Sequence, residues 1–294
     1  MDLKFINDFF KNNPLALAGL YVILAPVLGG LLAGFDRIIS ARMQRRVGPP
    51  LFQPFFDFFK LISKKSVTVN GMQYPFVLCH LFFMIMTGFL FFYGSDILLI
   101  IFVLTVASIF FVLAAYSANS PFSFVGAERE LLLMMAYEPM VLIALVAIFK
   151  VVGSFSFFDI VGSNKPLIVY LPGVFLGFFF ILTMKFRKSP FDLSYSHHGH
   201  QELVKGITTD LSGKTLAVIE ISHWYENIFL LGFIFLFFGF NLIFGIIAVL
   251  FCYFLEILID NVYARFKWEL AFKSAWIVTL VLGGGNLLVL YLLK

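Results

Sequence analysis

The stretch ILLIIFVLTVASIFFVLAA, residues 97–115, contains no charged side chain, no proline and no glycine. In a helix, 19 residues rise about 28 Å, close to the roughly 30 Å hydrocarbon thickness of a bilayer. The alternating polarity that a membrane β-strand needs is missing. Seven other apolar segments have similar length, which gives expected spans at 14–35, 74–93, 97–115, 131–152, 167–184, 216–238, 242–263 and 271–293. The fold class that follows is all-α: a polytopic membrane protein with about eight transmembrane helices.

Composition agrees. Of 294 residues, 61% are hydrophobic and 13% charged, against about 45–50% and 25% in soluble domains. The net charge of +4 does not mark a nucleic-acid binder, because a basic patch needs a soluble face to sit on. It follows the preference of Lys and Arg for cytoplasmic loops. Loops 36–73, 116–130, 185–215 and 264–270, with the adjoining Lys273, hold 16 of the 21 basic residues. The odd-numbered loops are therefore expected in the cytoplasm and both termini on the outer side of the cell membrane. The first apolar run has its positive charges after it and reads as a retained span, not a cleavable signal. Cys79 and Cys252 lie in apolar segments and read as packing residues. No repeat or low-complexity linker divides the chain, so residues 1–294 read as a single integral membrane domain. Loop 36–73 and a structured insert at 185–215 are its two large cytoplasmic features.

In the first of these, ARMQRRVGPPLFQPFFDFFKL spans residues 41–61. Gly48-Pro49-Pro50 breaks a helix, and Pro54 suits the first turn of the next. Phe55, Phe56, Phe59 and Ile62 then share one face, with Asp57, Lys60 and Lys64 elsewhere, which describes a short amphipathic helix in the interface. Arg42, Arg45 and Arg46 have two readings: they meet anionic lipid head groups, or, with Asp57 and Lys60, they dock a soluble partner.

The insert KFRKSPFDLSYSHHGHQELVKGITTDLSGK, residues 185–214, is far longer than the roughly 2–8 residues that usually join packed helices. It contributes Asp192, Glu202 and Asp210, plus His197, His198 and His200. Adjacent histidines rarely aim at one ion, and the pattern matches no zinc signature, so no metal is assigned. Hydrogen bonding, proton handling and partner docking remain the readings for the three histidines.

Acids also recur in or beside the spans: Glu128, Glu130, Glu138, Glu220, Glu226, Glu256 and Asp260. A carboxylate within a span costs at least about 2.5–3.5 kcal/mol and usually faces a bundle interior or a water-filled path. Glu130 and Glu138, eight apart, share a face if their helix is continuous. Glu220 can meet His223 at i+3, while Glu226 is roughly opposite in phase to Glu220. Glu256 and Asp260 stand at i and i+4. A hydrated proton path is the functional reading, and structural partnering of buried cations is the plain one. Nucleotide and nucleophile signatures are missing, and Gly283-Gly284-Gly285 sits inside the last apolar segment as a helix contact.

The ordered set Arg45-Arg46-Val47-Gly48-Pro49, Gln53-Pro54-Phe55-Phe56-Asp57, Lys60-Leu61 and Ser189-Pro190-Phe191-Asp192-Leu193 resembles the membrane subunit shared by respiratory complex I (subunit 1 or H) and energy-converting [NiFe] hydrogenases. Gly126-Ala127-Glu128-Arg129-Glu130, Tyr137-Glu138-Pro139 and the segment from His197 to Gly206 are more similar to the hydrogenase branch. So are Ser212-Gly213-Lys214 and Ile219-Glu220. Gly48-Pro49-Pro50 replaces the Gly-Pro-Asn usual in quinone-using subunits. The resemblance implies an Ech-like, non-catalytic anchoring and coupling subunit, carrying no cofactor of its own. It implies hydrogenase large and small subunits, an iron-sulfur subunit and an antiporter-like subunit as partners, with ferredoxin as donor. The [NiFe] centre and [4Fe-4S] clusters would belong to those partners, and the complex would move protons or sodium ions. The alternatives are the corresponding subunit of a quinone-reducing dehydrogenase and an independent transporter.

Overall fold

The computed structural model describes residues 11–68, 70–163, 165–195, 203 and 205–292. Among these there is no strand, only an isolated antiparallel bridge between Asp96 and Ser156. In chain order the helices are α1 (Pro14–Met43), α2 (Gln53–Ser63), α3 (Gln73–Tyr93), α4 (Ile97–Tyr116) and α5 (Pro121–Val152). The short α6 (Phe157–Gly162) and α7 (Leu167–Tyr170) precede α8 (Pro172–Lys185), α9 (Lys214–Phe237) and α10 (Leu242–Val262). The last helix runs as α11 (Trp268–Val278), a π-helical stretch (Thr279–Gly284) and α12 (Gly285–Leu292).

Each of the eight expected spans coincides with helix, but not all are alike. Six helices are long and apolar enough to cross a membrane: α1, α3, α4, α5, α10 and the run Trp268–Leu292. The expected span at 167–184 divides at Leu171, where Pro172 restarts the helix as the shorter apolar α8. The expected span at 216–238 is α9, which carries Glu220, His223 and Glu226. Two loop boundaries also move. Helix α1 continues through Asp36 and Arg37 to Met43, and α5 begins at Pro121, so residues 121–130 are its opening turns. At 1.5 Å per residue these helices of 30 and 32 residues reach about 45–48 Å, longer than the hydrocarbon layer, and carry their polar ends beyond it.

Apolar burial places the core between α3, α4, α5, α8 and α9, around Phe91, Phe111, Phe229, Phe233 and Phe237. The outward faces of α1, α10 and the last helix display Leu15, Ile23, Ile243, Leu280 and Val281. Such a face is expected against lipid tails. Helices α1 and α9 touch closely because Gly29 has no side chain; a Cβ there would stand 2.6 Å from the Trp224 carbonyl oxygen.

Helix α2 lies against this seam. The Phe55 ring packs 5.2 Å from Trp224 and against Gly30 on α1, and Phe58 packs 5.6 Å from Trp224. Of the four residues expected to share the apolar face, Phe55 is the one that packs into the bundle. Phe56, Phe59 and Ile62 do stand exposed. The described parts of the insert fold back onto the bundle, burying Phe191, Leu193, Ile207 and Leu211. The Ile207 N–H donates to the Ser194 carbonyl at 3.0 Å, and the loop presses against Gly126 of α5, where any Cβ would collide.

Candidate functional site

The site starts where α8 ends. Three carbonyls of its last turns accept from Phe186, Arg187 and Lys188 at 2.8–3.1 Å, and Arg187 takes a left-handed φ of 52°. A non-glycine residue in that region costs about 1–3 kcal/mol and needs compensation. Here the turn sends consecutive cations in different directions, and ion pairs supply the offset.

Arg187 points into the bundle. Its Nε and Nη2 donate to Glu130 Oε1 at 3.2 and 2.9 Å, and Nη1 donates to Glu226 Oε2 at 3.2 Å. Its guanidinium lies 5.3 Å from the Phe111 ring centre. The Ser194 hydroxyl donates to the other Glu130 oxygen. Lys185 Nζ sits 3.7 Å from Glu226 and 4.3 Å above the Tyr137 ring. His223 Nδ1 is 3.4 Å from Glu226 Oε2 and 3.3 Å from Arg187 Nη1. Two buried acids thus face two buried cations. Burial of such charges costs several kcal/mol each unless they are paired and hydrogen-bonded, which fixes this geometry tightly.

Lys188 turns the opposite way, 2.8 Å from Asp36 of α1 and 5.0 Å from the Tyr253 ring centre. The Ser189 N–H donates to Asp260 at 2.8 Å, and Arg265 pairs with Asp192. Burial pushes the Asp192 carboxyl up to about 6, with Asp260 adding to the rise and Arg265 opposing it. Between the two sets of pairs lies a cavity of about 600 Å³, walled by Asp36, Arg37, Arg187, Lys188, Glu220 and His223 among others.

The expected path residues divide. Glu130 and Glu226 are the buried acids of the cluster, while Glu220, Asp192 and Asp260 line the cavity. Glu256 is fully buried one turn from Asp260, and neither of its oxygens has a hydrogen-bond partner among the described residues. Glu138 is half-buried two turns beyond Glu130 along α5, outside the hydrogen-bonded cluster. Glu128 is exposed and accepts from the Tyr116 hydroxyl at 2.7 Å, and Asp210 accepts from Ser123 at 2.7 Å on the seam between insert and α5. His223 turns to Glu226 instead of to Glu220.

Of the expected docking residues, Arg42, Arg45, Arg46 and Lys60 are exposed. Asp57 is engaged within the chain, accepting from Arg37 at 2.6 Å and Gln53 at 2.9 Å. Partial burial would raise the Asp57 carboxyl, but these hydrogen bonds and the charges of Arg37 and Lys60 hold it below the usual range. His197, His198, His200 and Glu202 lie outside the described residues. Sequence reading missed Arg187, Lys185, Lys188 and Asp36 as site residues. The three cations closing an apolar segment carried a signal, but they read as orientation charges.

Comparison with known proteins gives a consistent result. The family model described as NADH dehydrogenase matches residues 15–291. Hydrogenase-4 component C of Escherichia coli (strain K12) is 29% identical, covering 90% of this chain and 90% of its own length. Formate hydrogenlyase subunit 4 of the same organism is 29% identical over 70% of this chain and 70% of its own. Among solved structures, a chain of the membrane-bound sulfane sulfur reductase, an archaeal respiratory membrane complex, superposes with a TM-score of 0.81. It covers 95% of this chain and 99% of that one, and at 23% identity this likeness concerns the fold.

Proposed function

Since the chain belongs to the NADH dehydrogenase family of complex I-type membrane proteins, we propose that it anchors and couples an energy-converting [NiFe] hydrogenase complex. In this reading ferredoxin-dependent proton reduction, or hydrogen oxidation, drives proton or sodium translocation. The observation that carries it is the Arg187 cluster, a buried arrangement of paired acids and bases opening on a polar cavity. A charge arriving near the cavity would redistribute protons among groups held this close, because interactions inside a low-dielectric bundle are strong. Similarity to Hydrogenase-4 component C over 90% of both chains supports the hydrogenase branch. The [NiFe] centre and [4Fe-4S] clusters belong to partner subunits in this reading, as does ferredoxin binding.

A quinone-reducing role is the second reading, favoured by the cavity's volume of about 600 Å³. The charged or ionisable Asp36, Arg37, Arg187, Lys188, Glu220 and His223 that wall it fit water and ions better than a quinone ring.

In the hydrogenase reading the exposed Arg42, Arg45 and Arg46 face the cytoplasm, where they would meet the soluble hydrogenase module. Purification of the intact complex, with its subunits and metals identified, tests the assignment: nickel and iron are expected, and a nickel-free complex with bound quinone would reverse it. In the same preparation R45E/R46E is expected to release the soluble module and leave the membrane fold unchanged. Retention of that module at ordinary salt would remove these arginines from the docking surface.

A further inference from the structure

Helices α3 and α9 run side by side in one direction. Near their starts, the Ser212 hydroxyl donates to the Val67 carbonyl at 3.0 Å and accepts from the Val67 N–H at 2.9 Å. Toward their ends, the Phe91 ring lies 5.3 Å from Phe229. Between these anchors the register sets His80 opposite His223, with ring centres 6.5 Å apart.

His80 is 0% exposed and stacks 5.1 Å from Phe111. Its Nδ1 lies 2.8 Å from the Ala107 carbonyl oxygen. A carbonyl can only accept, so Nδ1 carries the hydrogen. Nε2 of the neutral ring is then a bare acceptor, buried and without a hydrogen-bond partner among the described residues. His223 Nε2 is likewise buried and without one. The Nδ1 of His223 faces both a donor, Arg187, and an acceptor, Glu226. It can accept from the first, with the proton on Nε2, or donate to the second, with Nε2 bare. The ring also lines the cavity, so one side meets polar space and the other meets the α3 seam.

We propose that His80 is a proton-holding site branching from the Arg187 cluster, reached through His223 and one bridging water. Ring centres 6.5 Å apart are too distant for a direct nitrogen–nitrogen hydrogen bond, and a water hydrogen-bonded to both Nε2 atoms would span that separation once the closely packed rings part to admit it. The step balances. A proton reaching Nδ1 of His223 from the cavity makes that ring a cation. Its Nε2 proton passes to the water, and the water passes a proton to His80 Nε2. His223 is left neutral with Nδ1–H donating to Glu226, and His80 becomes the imidazolium. The charged groups beside this pair are Glu226 on α9 and Arg187 beyond α8, both in contact with His223; the facing Ala107 and Phe111 of α4 are uncharged.

This inference rests on the ion-coupling reading above, and the test separates the two. In the intact complex in proteoliposomes, His80→Asn keeps a donor near the Nδ1 position for Ala107 and deletes Nε2. His80→Gln keeps a polar atom near the Nε2 position but takes up no proton. Both variants are expected to assemble and to slow driven proton uptake by about tenfold or more. Infrared difference spectra on acidification, edited with ¹⁵N-histidine, should lose one imidazolium band in each. Wild-type uptake in His80→Asn overturns the proposal. Wild-type uptake in His80→Gln also overturns it, making Nε2 only a water anchor. Should the wild-type complex move no protons while the His80 band titrates, the coupling reading fails and the His80 site stands. A coupled wild type without that band overturns the His80 site and leaves the coupling reading in place.

Discussion

Two arginine–carboxylate pairs in this molecule share one chemistry in opposite surroundings. Arg37 and Asp57 join α1 to α2 at 2.6 Å, with side chains 44% and 39% exposed. Arg187 and Glu130 join the end of α8 to α5 at 2.9 Å, with side chains 7% and 4% exposed. The outer pair is the shorter, yet length does not set its energetic weight. Water already solvates Arg37 and Asp57, so bringing them together changes little. Around Arg187 nothing replaces a missing partner except other charged and polar side chains, and Glu226, His223, Lys185 and Ser194 are all drawn in.

The comparison breaks most sharply at Arg187. Arg187→Met strands Glu130 and Glu226 inside the bundle and is expected to cost about 3–5 kcal/mol, seen as loss of the folded chain from membranes or a large drop in its melting temperature in detergent. Arg187→Lys should fall between, because a single ammonium cannot fork between Glu130 and Glu226 as a guanidinium does. An unchanged melt in Arg187→Met would show that the cluster contributes no net stability.

Neutralising an acid of the inner cluster is milder. Glu226→Gln keeps the size and much of the hydrogen bonding, and is expected to cost about 1.5–3 kcal/mol through the weakened bonds to Arg187. On the proposed coupling role it should also cut driven ion movement in the assembled complex, while a detached soluble module would still turn over with an artificial donor. Full coupling in both Glu226→Gln and Glu130→Gln would end the relay role of the cluster.

Asp192 stands between the extremes, paired with Arg265 yet largely buried. Its folded-state value of about 6 lies above its ordinary 3.8, so the folded state binds the proton more tightly. This contribution to stability is full below about pH 4 and is lost as pH rises through about 6. The stability of wild type relative to Asp192→Asn should therefore fall by about 2 kcal/mol over that window, measured by unfolding in detergent at a series of pH values. A difference that grows with pH would mean that attraction to Arg265 outweighs burial.

The smallest effect belongs to the outer pair. Arg37→Ala is expected to cost no more than about 1 kcal/mol, and less at high salt. A loss comparable with Arg187→Met would show that α2 depends on this pair instead of on Phe55 and Phe58 against Trp224.

The sequence by itself determined the helical membrane fold, because an apolar run such as residues 97–115 leaves the backbone no partners in lipid except its own. It also marked Glu130, Glu226 and Asp260 as costly residues needing relief, since that cost depends on residue type and depth. Helix ends were less legible: Asp36–Met43 and residues 121–130 look like loop by polarity, yet the helices continue through them. Which carboxylate meets which cation was a matter for the tertiary structure. Arg187 reaches Glu130 across 57 residues and Glu226 across 39, and such pairings depend on how α5, α8 and α9 pack, which no spacing along one helix records. The same packing left Glu128 at the surface and turned His223 toward Glu226. Charge in the sequence states a demand for a partner; only the meeting of helices decides who answers it.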